Sequence, residues 1–362
     1  MIQELSEQQS RAAKIVSTWL TNEGQQVFRL FGYAGTGKTT VTTRLLEDFS
    51  GHVQYCAFTG KAALQMRKAG CENATTIHSI IYRAVLDHAG NLIGFRKRDK
   101  HEIAQLGIKL FVIDECSMVN ATIGQDLLSF GAKVLVLGDP AQLPPVSGTG
   151  FFIDVQPDVM LTEVHRQAAD SPVLRLATEV RKGQKLAKGT YEDSRVLWRD
   201  DLDWDDVLRA EQVLVGTNKI REDLNNKIRT SFGYGGTIPL FGERLVCLRN
   251  NHASGLLNGA LYNVVSTVTF PRNRLFLNLI SMDFPENGAV NAHVDADTFD
   301  SRRDRSLQYS FDYGYALTVH KSQGSQWDDV VIYDQSRVFR EHANRWLYTA
   351  ITRAKQKVTV AV

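Results

Sequence analysis

Short apolar runs recur along this chain, and most are followed by a polar turn and then by apolar residues at helical spacing. Val27-Phe28-Arg29-Leu30-Phe31, Gln54-Tyr55-Cys56-Ala57-Phe58, Leu110-Phe111-Val112-Ile113 and Val134-Leu135-Val136-Leu137 each fit a buried strand. Residues 40–49 carry Val41, Leu45 and Leu46 on one helical face. A helix running to Leu20 is expected to start at Ser6, because Gln9 sits at the capping-box spacing. Residues 172–189 read as basic and helical, and the strand rhythm resumes at Gln212-Val213-Leu214-Val215. A helix over 218–228, a strand at Val330-Val331-Ile332-Tyr333, a helix over 345–354 and a strand over 358–362 complete the pattern. Strands alternating with helices predict an α/β fold with parallel sheets.

Two segments break the rhythm. Within 80–107, Tyr82-Arg83-Ala84-Val85-Leu86-Asp87 and Asn91-Leu92-Ile93-Gly94-Phe95 flank His88-Ala89-Gly90, which reads as a hairpin with a glycine turn. Arg96, Lys97, Arg98 and Lys100 follow it; beside an exposed aromatic they suit nucleic acid, and otherwise they are a solvated charge run. From 237 to about 299, Arg244-Leu245-Val246-Cys247-Leu248, Leu261-Tyr262-Asn263-Val264-Val265 and Arg274-Leu275-Phe276-Leu277-Asn278-Leu279 are short strands between Asn, Gly and Pro turns. That is the pattern of a small β-barrel insertion.

The chemistry is concentrated at strand ends. Gly32-Tyr33-Ala34-Gly35-Thr36-Gly37-Lys38-Thr39 reads G-x-x-x-x-G-K-T between a strand and a helix, the context a phosphate-binding loop requires. Glycines let the backbone wrap phosphates, and N–H groups at the helix start point at the anion. Gly35, Thr36, Gly37, Lys38, Thr39 and Thr40 form the nucleotide-binding set, with Lys38 on the terminal phosphates and Thr39 on magnesium. Asp114 and Glu115 end a buried strand; Asp114 suits the magnesium through water, and Glu115 suits polarisation of the attacking water. Gln142, in the rigid loop Gly138-Asp139-Pro140-Ala141-Gln142-Leu143-Pro144-Pro145, has the polarity to touch a terminal phosphate. Arg166 is a candidate phosphate contact, and Arg353 a candidate finger offered to the γ-phosphate. Gln9 either caps its helix or reads an adenine edge. Thr59-Gly60-Lys61-Ala62-Ala63 and Thr75-Thr76-Ile77-His78 suit a passing phosphate backbone, and each taken alone is also an ordinary helix cap.

Composition narrows the class only a little. A length of 362 residues allows two or three domains, and 43% hydrophobic with 23% charged residues is that of a globular chain. With 42 basic and 40 acidic residues, any nucleic-acid footprint must be local. Cys56, Cys71, Cys116 and Cys247 show no paired metal spacing, which predicts a reduced, cytoplasmic setting. No secretory signal and no membrane-spanning run is apparent.

Taken in order, these motifs make the chain resemble superfamily 1 DNA helicases, most closely the 5′-to-3′ group (superfamily 1B) containing RecD and the phage Dda helicase. Ala316-Leu317-Thr318-Val319-His320-Lys321-Ser322-Gln323-Gly324 and Thr349-Ala350-Ile351-Thr352-Arg353-Ala354 are its most specific matches. The resemblance implies two RecA-like P-loop NTPase domains, at 1–79 with 108–170 and at 171–236 with 300–362. It implies a strand-separating pin at 80–107 and an SH3-like β-barrel insertion at 237–299. ATP and Mg2+ would be the cofactors, with Gln9 on adenine, Gln142 sensing the γ-phosphate, and Arg166 and Arg353 contacting it from either side. Thr59, Lys61, His78, Thr318 and His320 would lie along single-stranded DNA, and Phe95, with Tyr82 second, would meet the fork. The implied substrates are single-stranded DNA and single/double-strand junctions. A functional monomer, single-strand-binding or replication proteins as partners, no membrane and a nucleoid setting complete the expectation. An RNA helicase of the same superfamily and a nucleic-acid scaffold with an inactive ATP site are the rival readings.

Overall fold

The computed structural model describes residues 5–47, 49–87, 92–145, 148, 150–164, 171–251, 254–300 and 309–362. The chain forms two compact units, Met1–Phe58 with Ala62–Arg175 and Thr59–Lys61 with Leu176–Val362.

The first unit contains α1 (Glu7–Thr21), β1 (Val27–Gly32), α2 (Lys38–Leu46), β2 (His52–Ala57), α3 (Gly60–Lys68), β3 (Thr75–Thr76), α4 (Ile77–Ile81), β4 (Tyr82–Leu86), β5 (Leu92–Lys97), α5 (Lys100–Gln105), β6 (Ile108–Ile113), α6 (Ala121–Leu128), β7 (Lys133–Gly138) and β8 (Val159–Leu161). Six strands form a parallel sheet in the order β3-β2-β6-β7-β1-β8. The central strands are apolar on both faces because helices cover both. Leu110, Val112, Leu135 and Leu137 point into a core with Ala12, Val16 and Trp19 of α1. The alternate residues Phe111, Ile113, Val134 and Val136 point the other way, against Ile77, Ile81, Ile103 and Leu127. In a parallel sheet all carboxyl ends lie on one edge, so β1, β6 and β7 deliver their following loops to the same place.

The two rhythm-breaking segments form separate sheets. β4 and β5 make a two-stranded antiparallel ribbon, with Tyr82 opposite Lys97 and Ala84 opposite Phe95. The turn expected at His88-Ala89-Gly90 falls outside the described residues.

The second unit continues with α7 (Pro172–Arg181), β9 (Gly189–Tyr191), β10 (Ser194–Leu197), α8 (Trp204–Arg209), β11 (Gln212–Val215), α9 (Asn218–Ser231), β12 (Arg244–Cys247), β13 (Leu261–Phe270), β14 (Arg274–Ser281), β15 (Ala289–Asp295), β16 (Phe311–Tyr313), β17 (Ala316–Thr318), α10 (Val319–Ser322), β18 (Trp327–Tyr333), α11 (Ala343–Ile351) and β19 (Ala354–Ala361). One sheet runs β17-β11-β18-β19-β10-β9, parallel except at β9. The other is antiparallel, β15-β14-β13-β12-β16, and it recruits β16 from beyond residue 299. Their joint is α9. Val213 and Val215 share a core with Leu224 and Ile228 of α9 and with Leu245, Leu277 and Phe311. The polar side of α9 adds three buried ties: Arg221 to Asp312, Asn225 to both backbone groups of Ala316, and Arg229 to Glu243. The last helix ends at Ile351, earlier than its apolar spacing predicts, so Arg353 sits in the turn before β19.

Candidate functional site

The loop between β1 and α2 is shaped by its glycines. Gly35 and Gly37 have φ of 79° and 73°, the left-handed region where a side chain is strained. A Cβ on Gly32 would lie 2.5 Å from Thr36 Oγ1 and 2.9 Å from Leu161 Cβ, so the strand end must be bare. Thr36, buried, donates its hydroxyl to the Tyr33 carbonyl at 2.9 Å. Lys38 folds back over the loop, its ammonium donating to the carbonyls of Gly32 at 2.8 Å and Tyr33 at 3.2 Å. Thr40 is exposed on the first turn of α2.

Across the same edge, β6 delivers the acidic pair. Thr39 Oγ1 donates to Asp114 Oδ2 at 3.1 Å, and the Glu115 N–H donates to Asp114 Oδ1 at 2.8 Å. Burial and the neighbouring Glu115 push the Asp114 carboxyl above its ordinary value, against the pull of Lys38, the Glu115 N–H and Thr39. Glu115 has φ 53° and ψ 45°, a left-handed conformation for a residue with a side chain. Such strain collects where the surroundings over-determine a functional geometry. One hydroxyl and one carboxylate within hydrogen-bond reach are hard oxygen donors, which fits Mg2+ shared with phosphate oxygens.

From β7 comes Gln142. It is buried, its N–H bonds the Asp139 carbonyl at 3.1 Å, and its side-chain Oε1 has no hydrogen-bond partner among the described residues. A buried amide oxygen left unpaired is costly unless something else meets it.

Gln9 does what its spacing allowed. Its Oε1 accepts from the Ser6 N–H at 3.0 Å, completing the capping box, and its Nε2 donates to the Thr36 carbonyl at 3.0 Å. Its neighbour Gln8, which sequence reasoning passed over, ties α1 to the chain after β8. Its Oε1 accepts from the N–H groups of Thr162 and Glu163 at 2.9 and 3.0 Å. Arg166, a few residues further on, lies outside the described residues.

Of the expected DNA-track residues in the first unit, His78 and Phe95 come together. Their rings meet edge-on at 4.3 Å, and His78 also contacts the Tyr82 ring at 4.6 Å. Burial lowers the His78 pKa. Phe95 remains 54% exposed. Tyr82, the second fork candidate, instead spends its hydroxyl on Asp126.

In the second unit the outcome is mixed. Lys61 has a buried side chain, and its ammonium pairs with Asp283 at 3.1 Å and lies over the Trp327 ring. It is not an open cation for a phosphate. Thr59 is partly exposed, and Thr318 is buried at the start of α10. His320 packs its ring 5.6 Å from Phe339; burial and then His342 lower its pKa. Arg353 is buried, with its guanidinium donating to the carbonyls of Thr349 at 3.1 Å and Ser325 at 3.3 Å. Among the described residues no helix is long and apolar enough to cross a membrane.

Residues 4–200 match the AAA domain family and residues 313–361 the UvrD-like helicase C-terminal domain. The ATP-dependent RecD2 DNA helicase of Deinococcus radiodurans is 30% identical over 92% of this chain, which spans 46% of that relative. The ATP-dependent DNA helicase Pif1 of Campylobacter jejuni is 22% identical, with 92% of this chain and 88% of the relative covered. Among solved structures, Bacteroides Pif1 bound to single-stranded DNA superposes with a TM-score of 0.60 at 19% identity, covering 99% of this chain and 92% of that one. That likeness shows the fold: mixed α/β with RecA-like P-loop domains. Because the AAA-domain match alone takes in more than half of its 362 residues, the chain belongs to that P-loop family, and the relatives it resembles over most of its length are RecD-type and Pif1 DNA helicases.

Proposed function

We propose that this chain is a Mg-ATP-driven DNA helicase that moves 5′-to-3′ along single-stranded DNA and opens duplex ahead of it. The observation that carries the reading is the Thr39–Asp114 contact beside a left-handed Glu115, on the sheet edge that also carries the glycine loop. Lys38 then exchanges its two carbonyls for phosphate oxygens. Glu115 takes the proton of the attacking water, and Gln142 offers its unpaired Oε1 to that water as an acceptor, or its amide N–H to the terminal phosphate. Thr39, and Asp114 through water, would hold magnesium, which would supply charge neutralisation at the phosphates. Gln9 holds the loop through Thr36 and is proposed to read the adenine edge. Arg353 and Arg166 are proposed to complete the γ-phosphate shell.

DNA is proposed to run past Thr59, His78, Thr318 and His320, with the β4–β5 ribbon as the pin and the β12–β16 sheet as an SH3-like insertion in the second RecA-like domain. The Bacteroides Pif1 structure with single-stranded DNA, and a Pif1 structure at forked duplex DNA, support this choice of substrate. A working monomer in the bacterial cytoplasm or a phage-infected cell, meeting single-strand-binding or replication proteins, fits the same reading. The test compares matched duplexes carrying only a 5′ tail or only a 3′ tail, with ATP and magnesium. Opening of the 5′-tailed duplex alone is expected. Opening of the 3′-tailed one reverses the direction. Failure on both, with phosphate release indifferent to single-stranded DNA, overturns the helicase reading.

A further inference from the structure

We infer that Asp126 is a positioning residue that clamps the base of the β4–β5 ribbon to α6, so that duplex opening depends on it while single-strand tracking does not. The inference rests on the helicase reading above and adds the fixed point on which the ribbon is mounted.

Register puts Tyr82 opposite Lys97 at the open end of the ribbon. Asp126 takes one bond from each: Tyr82 Oη donates to Oδ2 at 2.6 Å, and Lys97 Nζ pairs with Oδ1 at 3.1 Å. A single carboxylate therefore holds both strands. Ser129 reinforces it, accepting from Lys97 at 3.3 Å and donating to the Asp126 carbonyl at 2.6 Å. Burial alone would raise the Asp126 carboxyl, yet the bonds from Tyr82 and Lys97 prevail and hold it below its ordinary value. On the other face of the ribbon, Arg83 pairs with Glu102 at 2.9 Å.

Beyond this base the ribbon is exposed: Ile93 is 65% and Phe95 54% accessible. An isolated two-stranded hairpin is marginal in water, so its direction is set where it is anchored. The anchor is close to the hydrolysis residues along the chain. Asp114 and Glu115 are followed by one tight turn, Cys116–Met118, and then by α6 itself. A ribbon mounted on that helix keeps a fixed offset from the acidic pair. With a loose base, the chain would step along a single strand while the ribbon yields to the next base pair.

The test uses the full chain with Asp126→Asn, which keeps an acceptor for Tyr82 but loses the charge on Lys97, and with Asp126→Ala, which loses both. Three quantities are read: amide hydrogen exchange in Tyr82–Leu86 and Leu92–Lys97, phosphate release driven by single-stranded DNA, and opening of a 5′-tailed duplex. For the alanine variant, ribbon amides are expected to exchange about tenfold faster. Duplex opening is expected to fall roughly fivefold while phosphate release stays within about twofold of the parent. The asparagine variant should shift the same way by less, and it carries the test if the alanine variant does not fold. Unchanged ribbon exchange, or phosphate release falling in step with opening, overturns the clamp. A parent chain that opens no tailed duplex overturns the helicase reading instead, and the exchange measurement then judges the clamp by itself.

Discussion

Thr39 Oγ1 and Asp114 Oδ2 lie 3.1 Å apart, although 75 positions separate them in sequence. The bond joins the end of the glycine loop to the end of β6, two strands away in the sheet order. It puts a hydroxyl beside a carboxylate where the metal-bound triphosphate is proposed to sit, and it sets the first expectation. Glu115→Gln should leave ATP binding nearly intact and remove turnover, because the base goes while the shape stays. Lys38→Ala should weaken both. Equilibrium binding of a fluorescent nucleotide beside phosphate release separates the two; turnover at the parent rate in Glu115→Gln would exclude Glu115 as the base.

Arg353 offers a second expectation. Its guanidinium is buried and bonded to Thr349 and Ser325. Arg353→Lys keeps the charge but loses the planar fork, so turnover should fall by a factor approaching the ~10³–10⁵ attributed to arginine fingers. Thermal unfolding must accompany the assay. Lost turnover at an unchanged melting temperature marks a phosphate contact. A matching loss of stability marks an internal brace for the turn before β19.

Phe95 is half in and half out, with its ring at right angles to that of His78. Stacking of a base on an aromatic contributes ~1–3 kcal/mol, enough to compensate the stacking lost as a pair opens. Phe95→Ala should therefore slow duplex opening strongly and leave single-strand-stimulated phosphate release near the parent value. Equal loss of both, with a lower melting temperature, would assign Phe95 to packing of the ribbon on His78 and Tyr82.

The joint of the second unit should be sensitive to one carboxylate. Glu243 is fully buried, pairs with Arg229 and accepts the Leu240 N–H at 2.8 Å. Glu243→Ala leaves the Arg229 charge buried without its partner, a change that costs about 3–5 kcal/mol. Chemical denaturation should report it as a lower midpoint. A midpoint within the error of the parent would mean the guanidinium finds water or another acceptor.

Sequence alone determined the parts of this protein whose chemistry is local. The glycine loop, the capped first helix, the apolar strands ending in Asp114 and Gly138, and the two breaks in rhythm are each written in a dozen neighbouring residues. Backbone conformation and strand burial follow from side chains close by. Tertiary structure decided what depends on residues far apart. It moved Lys61 from an expected phosphate contact to a buried pair with Asp283, because the charge of a lysine says nothing about which carboxylate the fold will bring to it. It joined Gln9 to both Ser6 and Thr36, linking the cap of the first helix to the glycine loop through one side chain. It set β16 beside β12, beyond where the turn signals end, because strand pairing is nonlocal and only the closed core records it. It made Asp126, an unremarked acid on an amphipathic helix, the meeting point of both ribbon strands. No motif announces such a residue, since its partners Tyr82 and Lys97 become neighbours only when the ribbon forms and docks.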